Sequence, residues 1–118
     1  KFENDKINFD LVLDCIHHRI FLNGQPLSSK EISSARETMI LLDLLLKNQG
    51  ILNNDQLPAS SYASSRYEFS GKIVLPLKRA VKQILGTELS LSVTGQICDF
   101  TIRFDLGNLK IRIADRYS

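Results

Sequence analysis

The stretch of residues 33–57, SSARETMILLDLLLKNQGILNNDQL, decides the fold that this sequence predicts. Its centre is a run of apolar residues with almost no polar face, which is typical of a helix buried on several sides. A capping box of Ser34 and Glu37 predicts where the helix begins. Gly50 predicts where it ends, because a left-handed residue is needed just past the last turn. We therefore expect a central helix over residues 35–48.

Length and composition favour one globular domain over the whole chain, residues 1–118. Hydrophobic residues make up 43% and charged residues 24%, which is typical of a soluble domain with a single core. The apolar run is too short for a membrane span, which takes about 20 residues, and it contains Asp43. Because Lys1 is not a methionine, we expect a piece of a longer protein, with any membrane anchor or receiver domain outside it.

A small antiparallel sheet is predicted before the central helix. Apolar and polar side chains alternate over residues 7–13, with Val12 out of pattern, and less cleanly over 16–22, as in half-buried strands. Asn23 and Gly24 form a strong tight-turn signal, and a short third strand is expected over residues 26–28.

Two more helices are predicted after the central one. Asn53 is a good N-cap for the first, which Pro58 would keep very short. The second, over residues 70–85, has an apolar stripe at helical spacing and ends at Gly86. Pro76 leaves two interpretations open. In the first, the helix starts near Pro76. In the second, the helix starts at Ser70 and is kinked at Pro76 at a cost of ~3 kcal/mol.

The last third of the chain is predicted to be β structure. Residues 89–93 and 97–104 alternate in hydrophobicity around a turn at Gly95, and residues 109–113 form a further strand. A hairpin and a three-stranded meander both fit this pattern. The predicted fold class is therefore α+β, with an N-terminal antiparallel sheet, three helices and a C-terminal hairpin or meander.

Short motifs occur in a fixed order along the chain, and they read NGQPL at 23–27, LLDLLLKNQG at 41–50, NNDQL at 53–57 and VKQILG at 81–86. In this order they resemble the OmpR/PhoB-type winged-helix DNA-binding domain, including its ToxR-like membrane-anchored relatives. The family's leucine-threonine-x-x-glutamate start of the first helix is matched by residues 32–37, one residue too long, or by residues 27–31. The resemblance covers roughly residues 7–104.

This resemblance implies a winged helix-turn-helix and sequence-specific DNA binding. The chain would be the cytoplasmic effector domain of a bacterial transcription regulator, and the helix over residues 70–85 would enter the major groove. It would bind double-stranded DNA as a pair of domains on repeated or palindromic half-sites. The charge distribution agrees, because residues 61–118 carry a net charge of +4 and residues 1–60 carry −2. Ordinary solvated surface charge is the alternative explanation.

The candidate nucleic-acid-binding residues lie in or just before this helix, and they are Arg66, Ser70, Lys72, Lys78, Arg79 and Lys82. Those near the N-terminal end, Ser70 and Lys72, are expected at base edges. The cations further along are expected at phosphates, which supply most of the affinity. An ordinary solvated helix face is again the alternative.

The sequence also departs from the family, and the departures favour a second hypothesis. The recognition helix contains Gly71 and Pro76, and the wing has neither the glycine-x-glycine-tyrosine run nor a basic residue at its tip. The chain could therefore serve protein–protein contact or dimerisation through its apolar β tail, residues 89–113. In that case, a charge introduced at Ile102 or Ile111 should disrupt self-association.

Neither catalysis nor metal or cofactor binding is predicted. The chain has no glycine-rich phosphate loop, no H-E-x-x-H motif and no nucleophile elbow. Cys15 and Cys98 are far apart and outside any C-x-x-C motif, so we expect two reduced thiols of a cytosolic protein. Asp14, Cys15, His17 and His18 are close in sequence, but adjacent histidines on a strand point to opposite faces.

Overall fold

The described part of the chain folds into two small sheets and two long helical runs, and the fold class is α+β as predicted. The computed structural model describes residues 9–28, 30, 32, 35–58, 62, 64–105 and 107–114. The elements before the first long connection are β1 (Leu11–Asp14), β2 (Arg19–Leu22), β3 (Gln25–Pro26), α1 (Ala35–Lys47), β4 (Ile51–Asn53) and a 3-10 turn (Asn54–Gln56). Those after it are α2 (Arg66–Phe69), a π-helical segment (Ser70–Val74), α3 (Leu75–Leu85), β5 (Ser90–Gly95), β6 (Phe100–Asp105) and β7 (Ile111–Ala114).

Helix α1 confirms the central helix that the sequence predicts. Leu41, Leu42 and Leu45 are fully buried in the core. The helix ends where the backbone turns left-handed, with φ of 59° at Gln49 and 83° at Gly50. The Gly50 amide donates a hydrogen bond of 2.7 Å to the Leu45 carbonyl, which satisfies one of the last carbonyls of the helix. The predicted cap at Ser34 lies outside the described residues.

The first sheet has the strand order β3-β2-β1-β7. Its β1–β2 and β2–β3 pairs are antiparallel, as predicted. In a three-stranded meander, one of the two predicted arrangements, the last strand would lie beside the hairpin; β7 instead pairs in parallel with β1, with Leu11 opposite Ile111. This arrangement explains why Val12 breaks the alternation of β1. An interior strand buried on both faces reads as a continuous apolar run, and all four residues of β1 are buried.

The second sheet has the order β4-β6-β5, so the C-terminal β structure is a hairpin and not a meander. Strand β4 was not predicted, and it pairs with β6 antiparallel. Ile102 in β6 is 0% exposed. A charge there would disrupt the core first, so the Ile102 variant cannot report on self-association separately from stability. Ile111 in β7 is half-buried.

The very short middle helix that the sequence predicts is a single 3-10 turn, so the described residues contain two long helical runs in place of the three predicted helices. Asn53 does cap this turn, as predicted. Its side chain accepts a hydrogen bond from the Asp55 amide, and the Gln56 side chain accepts one from the Asn53 amide. The turn stops at Leu57, whose ψ of 152° is the extended conformation that the following Pro58 favours.

The second helical run, residues 66–85, resolves the two interpretations of Pro76 in an unexpected way. The run begins ten residues before the proline. Pro76 lies in the first turn of α3, and the π-helical segment ends just before that helix. The Leu75 amide reaches back five residues to the Ser70 carbonyl. The missing N–H of Pro76 therefore falls where the hydrogen bonding changes from the π-helical to the α-helical pattern. Gly86 ends the run in the left-handed conformation, as predicted.

One hydrophobic core joins both helical runs to both sheets. The rings of Phe69 from α2 and Phe100 from β6 lie 5.5 Å apart, and both side chains are fully buried. Among the residues that the structure describes, no helix has the length and apolar character that crossing a membrane requires.

Candidate nucleic-acid interface

The run of residues 66–85 has one buried and one cationic face. The buried side chains are Phe69, Ile73, Val74, Leu77, Ala80 and Val81. On the other face Lys72, Arg79 and Lys82 are exposed and Lys78 is half-buried. Arg79 is seven residues after Lys72, and Lys82 is three residues after Arg79 and four after Lys78. These separations place the cations on the exposed half of the helix, off the apolar stripe as the sequence predicts.

The positive charge of this face is not neutralised by neighbouring carboxylates. Within the described ranges, neither Lys72, Lys78, Arg79 nor Lys82 forms an ion pair. The run contains one acidic residue, Glu68, which is exposed near its start. Such a face is free to neutralise phosphates of a bound nucleic acid.

Arg66 occupies a different place from the other predicted cations. Its guanidinium donates a hydrogen bond to the Gly95 carbonyl, and its backbone amide donates one of 2.8 Å to the Ile97 carbonyl. The guanidinium carbon also lies 5.5 Å from the centre of the Tyr67 ring. Arg66 therefore connects the β5–β6 hairpin to the start of the helical run, and its side chain has a structural partner.

Ser70 and Lys72 both lie in the π-helical segment, but only Lys72 is exposed. Ser70 is half-buried, and its backbone serves the helix, since its amide donates to the carbonyls of Arg66 and Tyr67. Of the two residues expected at base edges, Lys72 is the better placed to reach a partner in solution.

Three residues on this face were missed by the sequence reasoning. Tyr67 is 65% exposed and Leu75 is 52% exposed, although both are large and apolar. Gly71 lies midway between them and is also exposed. The signal that could have identified them is the regular four-residue spacing of Tyr67, Gly71 and Leu75, off the apolar stripe of the same helix.

The tip of the β5–β6 hairpin lies beside the start of the helical run and is held in place from the 3-10 turn. Asn54 donates a hydrogen bond to the Cys98 carbonyl and accepts one from the Phe100 amide, while Asn53 donates to Asp99. The tip carries no basic residue, as noted from the sequence, and its most prominent side chain is Ile97 at 48% exposure.

The Asp14 cluster is a turn-stabilising arrangement between β1 and β2. The Asp14 carboxylate accepts hydrogen bonds from the amides of Ile16 and His17 and interacts with the His17 ring at 3.0 Å, and Arg19 lies 3.6 Å away. Burial alone would raise the pKa of Asp14, but the hydrogen bonds from His17 and Ile16 outweigh it and lower the pKa below its ordinary value. No group of three or more metal-ligating side chains occurs within the described ranges.

No protein-family model matches this chain, and no curated protein or solved structure is significantly similar to it. The assignment of the interface therefore rests on the geometry and charge of these residues.

Proposed function

We propose that this chain is a winged-helix DNA-binding domain, the effector domain of a bacterial transcription regulator, which places the exposed face of residues 66–85 in the major groove of double-stranded DNA. The observation that carries the proposal is the line of Lys72, Lys78, Arg79 and Lys82 without carboxylate partners among the described residues. Four cations against one acid, Glu68, give this run a positive charge that favours an anionic partner.

The dimensions of the run are suitable for this binding mode. Ten residues separate Lys72 from Lys82, which is about 15 Å at a rise of 1.5 Å per residue. A helix with its side chains is about 10–12 Å across, and the major groove is about 12 Å wide. The cations can therefore reach phosphates on the groove walls while the helix lies between them.

The hairpin supports the proposal through its position and not through its charge. Strands β5 and β6 meet the start of the run through Arg66, and the tip is fastened by Asn53 and Asn54. Its orientation relative to the helix is therefore fixed before DNA binds, which lowers the cost of ordering on association. With no cation at the tip, the hairpin contributes little phosphate neutralisation in this proposal.

The test is fluorescence anisotropy of the chain with a mixed-sequence DNA duplex at several salt concentrations. Phosphate binding predicts that the logarithm of affinity falls linearly with the logarithm of salt concentration. The double variant Lys78→Glu with Arg79→Glu should abolish binding while the far-UV circular dichroism spectrum stays unchanged. The matched control, Arg36→Glu with Arg103→Glu, changes the charge equally at exposed positions outside the run and should retain binding. Absence of binding at low salt, or an equal loss in both double variants, would contradict the proposal.

A second candidate function is protein–protein contact or dimerisation through the β tail. The observation that favours it is Ile97, which is large, apolar and half-exposed at the hairpin tip. Sedimentation velocity of the chain and of Ile97→Ser separates the two candidates. Self-association that Ile97→Ser removes, without DNA binding at any salt concentration, would favour this candidate over the first.

A further inference from the structure

The cationic face carries two large apolar side chains that phosphate binding does not require. Tyr67 and Leu75 are more than half exposed, and positions four residues apart on a helix are neighbours along one face. Tyr67, Gly71 and Leu75 thus form a line on the surface, which we name the apolar line. Arg79 lies four residues after Leu75 and continues the line, and Lys72 lies beside Gly71; both cations are exposed.

Gly71, at the centre of the apolar line, is not required by the fold. Its φ is not left-handed, and a Cβ atom added there would meet no other atom within 4 Å. Glycine is nevertheless a poorer helix former than alanine, so its presence weakens the helical run. What glycine does provide is a notch between the two apolar side chains, through which a ligand can approach the helix backbone closely.

The major groove presents one apolar group on its base edges, the C5-methyl group of thymine, and apolar side chains recognise thymine by contact with it. We propose that Leu75 and Tyr67, with the notch at Gly71 between them, bind thymine methyl groups, so that the domain prefers DNA sites with thymine opposite the apolar line. This inference rests on the proposed function, because the flanking cations must first place the helix in the groove. The cations next to the line supply the attraction to phosphate that brings this face to the groove.

The experiment uses deoxyuridine, which pairs like thymidine but lacks the methyl group. A tightly bound duplex is first selected from a pool of random sequences with the wild-type chain. Each thymine of this duplex is then replaced singly by deoxyuridine, and the dissociation constants are measured by anisotropy. Wild-type protein should bind about fourfold more weakly for each contacted methyl group that is removed.

Two variants and a control connect this loss to the apolar line. Leu75→Ala should bind the thymine duplex more weakly and should no longer distinguish deoxyuridine at one position, as a double-mutant cycle requires for a direct contact. Gly71→Gln fills the notch and should weaken binding to the thymine duplex without changing the slope against salt. Thr87→Ala, also exposed but just past the end of the run, should retain the wild-type response to deoxyuridine.

The outcomes separate this inference from the proposed function. If the selected duplex binds with a steep salt dependence but tolerates deoxyuridine at every position, the thymine contact is refuted and DNA binding stands. A Leu75→Ala variant that still distinguishes deoxyuridine at every sensitive position would also refute it. If no duplex is selected and no binding occurs at low salt, both proposals are refuted together.

Discussion

Substitution of Gly50 by alanine tests the connection between the central helix and the second sheet. Gly50 lies between α1 and β4 with φ of 83°, and its carbonyl accepts a hydrogen bond of 2.8 Å from the Phe104 amide in β6. A Cβ atom at this position would lie less than 3.0 Å from the Phe104 carbonyl oxygen. Because that oxygen is a backbone atom, the sheet itself would have to move.

The expected destabilisation has two parts. A left-handed conformation costs a residue with a Cβ atom about 1–2 kcal/mol relative to glycine. Forcing extra volume into a packed site costs about 1–3 kcal/mol more. Gly50→Ala should therefore lower the free energy of unfolding by about 2–5 kcal/mol, which is a large part of the roughly 5–15 kcal/mol that stabilises a typical domain.

Urea denaturation followed by circular dichroism measures this effect, and Gly86→Ala provides the matched control. Gly86 has a similar φ of 71°, but an added Cβ atom would meet nothing within 4 Å. Gly86→Ala should thus show the torsional part alone, about 1–2 kcal/mol. Equal losses for the two variants would refute the argument that the Phe104 backbone closes over Gly50.

Three further predictions concern stability. Gly71→Ala should raise the free energy of unfolding by about 0.5–1 kcal/mol in the same urea assay, and a loss would contradict the absence of a structural role for glycine there. Arg66→Ala should lower the free energy of unfolding by about 1 kcal/mol through loss of the hydrogen bond to Gly95. The slope of log affinity for DNA against log salt concentration should change little. A large drop in that slope would show that Arg66 contacts phosphate. Because the pKa of Asp14 is lowered in the folded chain, its contribution to stability is complete above the unfolded-state pKa of about 3.9 and is lost as the pH falls through the folded-state value. Urea midpoints measured downward from pH 5 should therefore fall less steeply for Asp14→Asn than for the wild-type chain.

The features predicted correctly from the sequence are those set by local chemistry. Helix α1, the Asn53 cap and the Gly86 end follow from hydrophobic spacing and from residues that suit one backbone conformation. The tight turn after β2 likewise has left-handed φ values at Asn23 and Gly24.

The features missed depend on partners that are distant in sequence. Strand β7 pairs with β1, about 100 residues earlier, and the three-residue strand β4 exists because β6 lies beside it. The role of Arg66 is of the same kind, since its partner Gly95 is 29 residues away. A list of cations from sequence cannot distinguish this fold-supporting arginine from Lys72, Arg79 and Lys82. If Arg66 is set aside, four cations remain for phosphate binding. At about 0.9 for each phosphate, the slope of log affinity against log salt concentration should then be no steeper than about −3.6.

Gly50 and Gly71 show how the structure separates a glycine that the fold requires from one that it does not. At Gly50 both the torsion and the Phe104 backbone exclude a side chain, so stability alone explains the residue. At Gly71 neither constraint applies, and alanine would make a more stable helix. The proposed contact of this face with thymine methyl groups would explain why a residue that weakens the helix stands at an exposed position between Tyr67 and Leu75. Under this proposal stability and binding oppose each other at Gly71, as is common where activity requires a locally weaker structure, and at Gly50 they do not.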